Sequence, residues 1–316
     1  MKPDDMEPLL SKFELNKRPD RLSAWLTDPF SWGFIIIFAA AFVALPDLSS
    51  EWLSTILIPL ATILAVALVV FLSRKHSPAA LEIPRPAIEW WSVFGWYAGF
   101  MILSVITKGS GILSNDIAKW LWFVILPLGL LWFGRGSSCN LTTFLRSVGL
   151  HRQGLGKALL LGLLAFVILL PFILMSMPSS QLTKIHDIFQ QPLQAVVIMP
   201  LSFLLLLFTA GFTEEVFFRG ILQSHLAKLM RSEMRSCLIT AFLFGIYHLP
   251  YAYFLSDRPP HGNLVWAVAS VVTEQMIAGL ILGVLWMRTR NLGSSILLHT
   301  LIDLLPAMTM LHLVIR

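Results

Sequence analysis

The chain has 316 residues, 56% of them hydrophobic and 13% charged, with a mean hydropathy of +0.76 and a formal net charge of +5. That composition excludes an ordinary soluble domain and points to a polytopic membrane protein. The positive excess follows the membrane rule described below and forms no nucleic-acid-binding stripe, so no nucleic-acid partner is expected.

Residues 1–30 are polar and mixed in charge, with no small-residue cleavage site before the first apolar run. They read as a cytoplasmic tail, and the first span then serves as the targeting signal. Apolar runs of spanning length can be drawn nine times, over 31–48, 52–72, 88–106, 117–133, 157–177, 193–223, 236–256, 264–287 and 293–314. The fourth is the shortest, and without it the count is eight. The expected fold is therefore an all-α, polytopic membrane helical bundle of about nine transmembrane helices. Of the 23 Lys and Arg residues, 18 fall in or beside the N-terminus and the loops after spans 2, 4, 6 and 8. This bias places the N-terminus in the cytoplasm and the C-terminus outside, as an odd number of spans requires.

Between the spans, the connector from Ser73 to Pro86 carries Pro78, Pro84 and Pro86 and reads as an extended strap. Trp90, Trp91, Trp96, Trp120, Trp122 and Trp132 cluster near span ends and read as interfacial anchors. The polar stretch Phe144–Gly154 is the natural joint, separating N-terminal transmembrane helices (31–143) from a second unit (144–316). Cys139 and Cys237 are placed in cytoplasmic loops and are expected to be reduced thiols.

The stretch Thr209–Gly220, T-A-G-F-T-E-E-V-F-F-R-G, puts two carboxylates and an arginine into an apolar run. Charged side chains at that depth cost about 2.5–3.5 kcal/mol each on insertion scales, so they need a reason. At about 100° per residue, Glu215 and Arg219 share one helix face and can pair; Glu214 points about 140° away. Glu215 is therefore the structural candidate and Glu214 the functional one. Downstream, span 7 carries His248 one turn beyond Phe244, followed by Pro250, which should end or kink the helix and free carbonyls beside the histidine. Span 8 holds Glu274, either an ion-pair partner for Arg219 or part of the pocket. Span 9 places His299 and Asp303 on one face at i, i+4. Gly211, Gly220 and Gly245 read as sites of close helix packing. Extending span 6 through Leu222 brings the depths of Glu214, His248 and His299 close enough to converge on one polar cavity, open toward the cytoplasm.

Glu214-Glu215-x-x-x-Arg219, Phe244-x-x-x-His248 and His299-x-x-x-Asp303 resemble, in order and spacing, the three-motif signature of the CPBP family. These are the CAAX-protease and bacteriocin-processing (Abi) intramembrane endopeptidases. The similarity runs from about Leu193 to Leu313, so residues 144–316 become the expected catalytic membrane core. The resemblance implies hydrolysis of a peptide bond in a membrane-anchored or lipid-modified protein or peptide, in a plasma (bacterial inner) membrane, at a cytoplasm-facing site. It implies that Glu214 and His248 hold and activate water, that His299 and Asp303 stabilise the oxyanion, and that Glu215 and Arg219 brace the site; Phe244 and Glu274 are counted beside them as bracing residues. Prenyl-cleaving members carry asparagine at the position of Asp303, and an ionised Asp303 cannot donate to an oxyanion. The expectation is instead that Asp303 orients His299, as a triad aspartate does. Glu214, His248 and His299 also make a two-histidine, one-carboxylate zinc set, but the chain has no H-E-x-x-H pair, so no cofactor is expected and zinc is the lesser alternative. The alternative function is a non-catalytic bacteriocin self-immunity or membrane binding protein. A proton-coupled transporter would call for inverted repeats, and the sequence shows none. Substrate identity and oligomeric state stay open.

Overall fold

A computed structural model describes residues 25, 27–45, 48–74, 83–109, 116–135, 140–255 and 261–315, with side chains left aside at 48–55 and 312–315. The expected tail (1–24), most of the 73–86 strap and Cys139 lie outside the described residues. Eleven helices follow in order among them: α1 Pro29–Ala44, α2 Leu48–Ser73, α3 Pro86–Ile106, α4 Asp116–Arg135, α5 Leu141–Ser147, α6 Leu155–Ser176, α7 Ser179–Gln190, α8 Pro192–Met230, α9 Glu233–Leu255, α10 Leu264–Thr289 and α11 Leu292–Ile315. Every one of the nine apolar runs is a helix. Seven of the helices are long and apolar enough to cross a membrane; α1, at 16 residues, is shorter, and α3 carries Glu89 and several aromatic residues in place of aliphatic ones.

Local chemistry sets the helix starts. Asp28, Asn140, Ser232 and Asn263 each cap the first turn of a helix by accepting a backbone N–H, and Pro occupies the first turn of α1, α3 and α8, where its missing N–H is harmless. Helix α8 runs unbroken for 39 residues with Arg219 fully buried. The longer version of span 6 is therefore the observed one, and the arginine sits inside the protein.

Helix α10 is the most enclosed, with α9 and α11 against it and α2, itself packed on α6, covering another side. Helix α8 lies along α11, and α3 and α4 lie along the second half of α8. Approach is close where small residues meet: a Cβ on Gly162 of α6 would stand 2.5 Å from the Ser294 carbonyl oxygen, and one on Gly279 of α10 would stand 3.0 Å from Ala241 Cα. Gly211, Gly220 and Gly245 are likewise contact points, as expected. An aromatic core joins Phe100, Phe123, Phe217, Phe218, Phe244 and Tyr247. Residues upstream of 143 thus share one core with residues downstream.

Two expectations change. The tryptophans do not form a belt: Trp91 is exposed, but Trp90 is buried, and Trp96 stacks near Trp122 while its indole N–H donates to the Trp122 carbonyl at 2.8 Å. Cys237 lies on α9, buried, not in a loop. The 144–154 joint is clamped onto the start of α11. Leu292 N donates to the Gly149 carbonyl, and the Asn291 side chain donates to the His151 and Gln153 carbonyls.

Because the Ser294 backbone cannot retreat, Gly162→Ala is expected to destabilise the protein by about 1–3 kcal/mol. Gly156→Ala, on the same helix with nothing within 4 Å, should be neutral or stabilising by up to about 1 kcal/mol. Unfolding of both variants in detergent checks the contrast.

Candidate active site

The three motifs converge. On α8, Glu215 and Arg219 pair at 2.8 Å (Oε1 to Nη1), and both are fully buried. Arg219 Nη2 donates to the Gly279 carbonyl at 3.1 Å, and its guanidinium lies over the Phe244 ring, 4.4 Å from the centroid. The same Glu215 Oε1 accepts from His299 Nδ1 at 2.8 Å. Glu274 is exposed in a π-helical turn (Val271–Gln275) of α10, and the groups that hold Arg219 are Glu215 and the Gly279 carbonyl.

Glu214 turns the other way, as its place on the helix requires. It is 3% exposed. Its Oε1 accepts from Lys119 Nζ at 3.2 Å and from the Tyr247 hydroxyl at 3.3 Å. Its Oε2 is buried without a hydrogen-bond partner among the described residues and stands 3.9 Å from His248 Nε2 and 3.8 Å from His299 Nε2.

The turn after Tyr247 explains how His248 is held. Pro250 has no N–H to continue the helix, the chain tightens so that His248 N bonds to the Gly245 carbonyl, and Phe244 O is released. The imidazole fills that gap: Nδ1 lies 2.8 Å from Phe244 O. A carbonyl can only accept, so Nδ1 carries a proton and the neutral ring presents a lone pair at Nε2. Phe244 packs edge-on to both imidazoles, at centroid distances of 4.8 Å to His248 and 5.7 Å to His299.

The Asp303 expectation needs correction. Its Oδ2 lies 3.4 Å from His299 Nε2, the nitrogen that also faces Glu214, and its side chain is 44% exposed. The group that orients His299 through Nδ1 is Glu215. Asp303 therefore stands at the mouth of the site, together with the partly exposed His248 and Lys119. Lys119 and Tyr247 escaped the motif search altogether. The available signals were a cation one turn inside an apolar run and a phenol next to a motif histidine.

Two ligands of one tetrahedral zinc lie roughly 3.3 Å apart for bonds of about 2.0–2.1 Å. The 3.8 and 3.9 Å separations exceed this, and Oε1 of Glu214 already holds an ammonium. Among the described residues no cluster of three or more His, Cys, Asp or Glu could hold a metal ion. The zinc set does not fit.

Removing one member of a buried ion pair strands the other. Arg219→Met is expected to cost about 3–5 kcal/mol of stability, and Glu215→Gln combined with Arg219→Met to cost less than the two single changes added together. Denaturant unfolding of the three variants measures the coupling.

Comparison with known proteins agrees with this geometry. Residues 196–305 match the family profile described as "Type II CAAX prenyl endopeptidase Rce1-like". No curated protein and no solved structure gives a match. The matched segment runs from α8 into α11 and contains Glu214, Glu215, Arg219, Phe244, His248, His299 and Asp303. The protein is an integral, multi-pass membrane protein, and its residues 196–305 match the CAAX protease (CPBP) family.

Proposed function

We propose that this protein hydrolyses a peptide bond of a membrane-anchored or lipid-modified protein with a water molecule activated by Glu214 and His248. The observation that carries this reading is the facing of two acceptors. Glu214 Oε2 and the Nε2 lone pair of His248 stand 3.9 Å apart. That is too far for a direct bond, and a water molecule has two hydrogens to offer such a pair. The water oxygen attacks the scissile carbonyl carbon and passes a proton to Glu214. His299, held at Nδ1 by Glu215, serves as an imidazolium that donates from Nε2 to the oxyanion. Collapse breaks the C–N bond, and the proton held by Glu214 goes to the leaving amine, so that a carboxylic acid, which keeps the second proton of the water, and an amine depart.

Asp303, at the mouth, faces His299 Nε2. No step passes through a metal. A bacterial inner membrane belongs to the same proposal. A pure binding protein would have no use for an unpartnered carboxylate oxygen aimed at two imidazoles, because leaving such an acceptor bare costs about 1–3 kcal/mol.

The test is mapping of new peptide termini in membranes carrying the wild type or Glu214→Gln. General-base loss of about 10²–10⁴-fold should remove a defined set of termini. An unchanged set would overturn the proposal. His299→Ala should slow the same cleavages by about 10²–10³-fold, and phenanthroline should leave the wild-type rate intact.

A further inference from the structure

We infer that Lys119, on the N-terminal half of the chain, is a positioning residue for Glu214: with Tyr247 it holds one carboxylate oxygen and thereby presents the other to the two imidazoles. The inference rests on the role of Glu214 proposed above. Lys119 lies outside the family-matched segment, so that segment by itself does not supply all that orients its own carboxylate.

The placement of Lys119 is enforced from three points along α4. Trp120 stacks on Phe212 at 5.2 Å with the rings 19° apart, and Phe123 stacks on Phe217 at 4.9 Å and 25°. These pairs bracket Glu214 on α8 from before and after. At the far end of α4, Arg135 Nη2 donates to Glu89 Oε2 at 2.6 Å, and His225 of α8 meets the same oxygen at 2.8 Å. Register between α4 and α8 is thus pinned at both ends, and Lys119 Nζ arrives at Glu214. Phe123 also packs edge-on against Tyr247 at 5.2 Å, steadying the second donor.

How the ammonium is used separates positioning from simple charge pairing. Glu89, a buried carboxylate outside the site, has both oxygens engaged by Arg135. Among the described residues, Glu214 has donors on Oε1 alone, and Oε2 is left bare. Lys119 therefore fixes the rotamer without covering the oxygen that faces His248 and His299. A latch that shut the site would sit on Oε2. A lysine suits the task because one of its three donors is spent on Glu214 and its side chain is 17% exposed, which lets the rest stay solvated at the mouth.

The test uses the full-length protein in membranes and follows over time the peptide termini that depend on Glu214. Lys119→Met should slow their appearance by about 10–10²-fold, the scale of a misplaced reacting group, with the same cleavage sites and with the protein still folded at the assay temperature. Lys119→Arg, which keeps a cation, should recover most of the rate. Wild-type rates in Lys119→Met, no rescue by Arg, or a fall in rate matched by loss of folded protein at the assay temperature would each overturn the assignment. Where Lys119→Met does not accumulate, Lys119→Gln takes its place. Failure of both to accumulate shows a purely structural role and also overturns it. If Glu214→Gln loses no termini, the hydrolytic reading falls first. If it loses them and Lys119→Met does not slow them, only the role of Lys119 falls.

Discussion

The structure depends on one buried knot of charge. Arg219 is fully buried, in a protein whose surroundings are largely hydrocarbon, and its guanidinium is held both from its own helix and from a neighbouring one. Glu215 answers it from the same helix, the Gly279 carbonyl from α10, and the Phe244 ring from α9. The shared oxygen of Glu215 then reaches His299 on α11. Four helices are fixed relative to one another by one guanidinium and one carboxylate. The glycine at 279 follows from this, since a side chain there would press on α9 at the point where the carbonyl must come close.

From that knot the division between two neighbouring glutamates follows. Helical geometry forbids adjacent residues from sharing a face, so pairing Glu215 with Arg219 sends Glu214 elsewhere. Where it goes is wet enough for chemistry: His248, Asp303 and Lys119 are each partly exposed around it. One carboxylate thus serves stability and orientation, and the other stands with an oxygen free to act. His299 joins them, with Nδ1 on the structural glutamate and Nε2 toward the functional one.

Irregular backbone concentrates around this site. π-helical turns precede and follow Glu214–Glu215 on α8, another follows Lys119 on α4, and a fourth follows His248 on α9. Such turns cost hydrogen-bond geometry and recur at functional sites, where they re-aim side chains. The release of Phe244 O by the Pro250 turn shows the benefit directly, because the freed carbonyl holds the imidazole in one tautomer.

Much of this was legible in the chain. Nine apolar runs became nine helices, because in a bilayer backbone groups have no partner but one another. The Glu215–Arg219 pair, the separate course of Glu214 and the convergence of His248 and His299 followed from helical periodicity and from the cost of charge in lipid. Local sequence could not say which groups on different helices would meet. Glu274 and Asp303 were expected within the site, yet the first is exposed and the second stands at the mouth, because helix rotation is settled by packing. Lys119 and Tyr247 reach Glu214 only because aromatic stacking sets the register of α4 against α8. Sequence by itself determined the helices, their ionisable residues and the face each occupies. Tertiary structure alone decided which carboxylate oxygen is held and which is left open, since that depends on donors brought from 95 and 33 residues away in the chain.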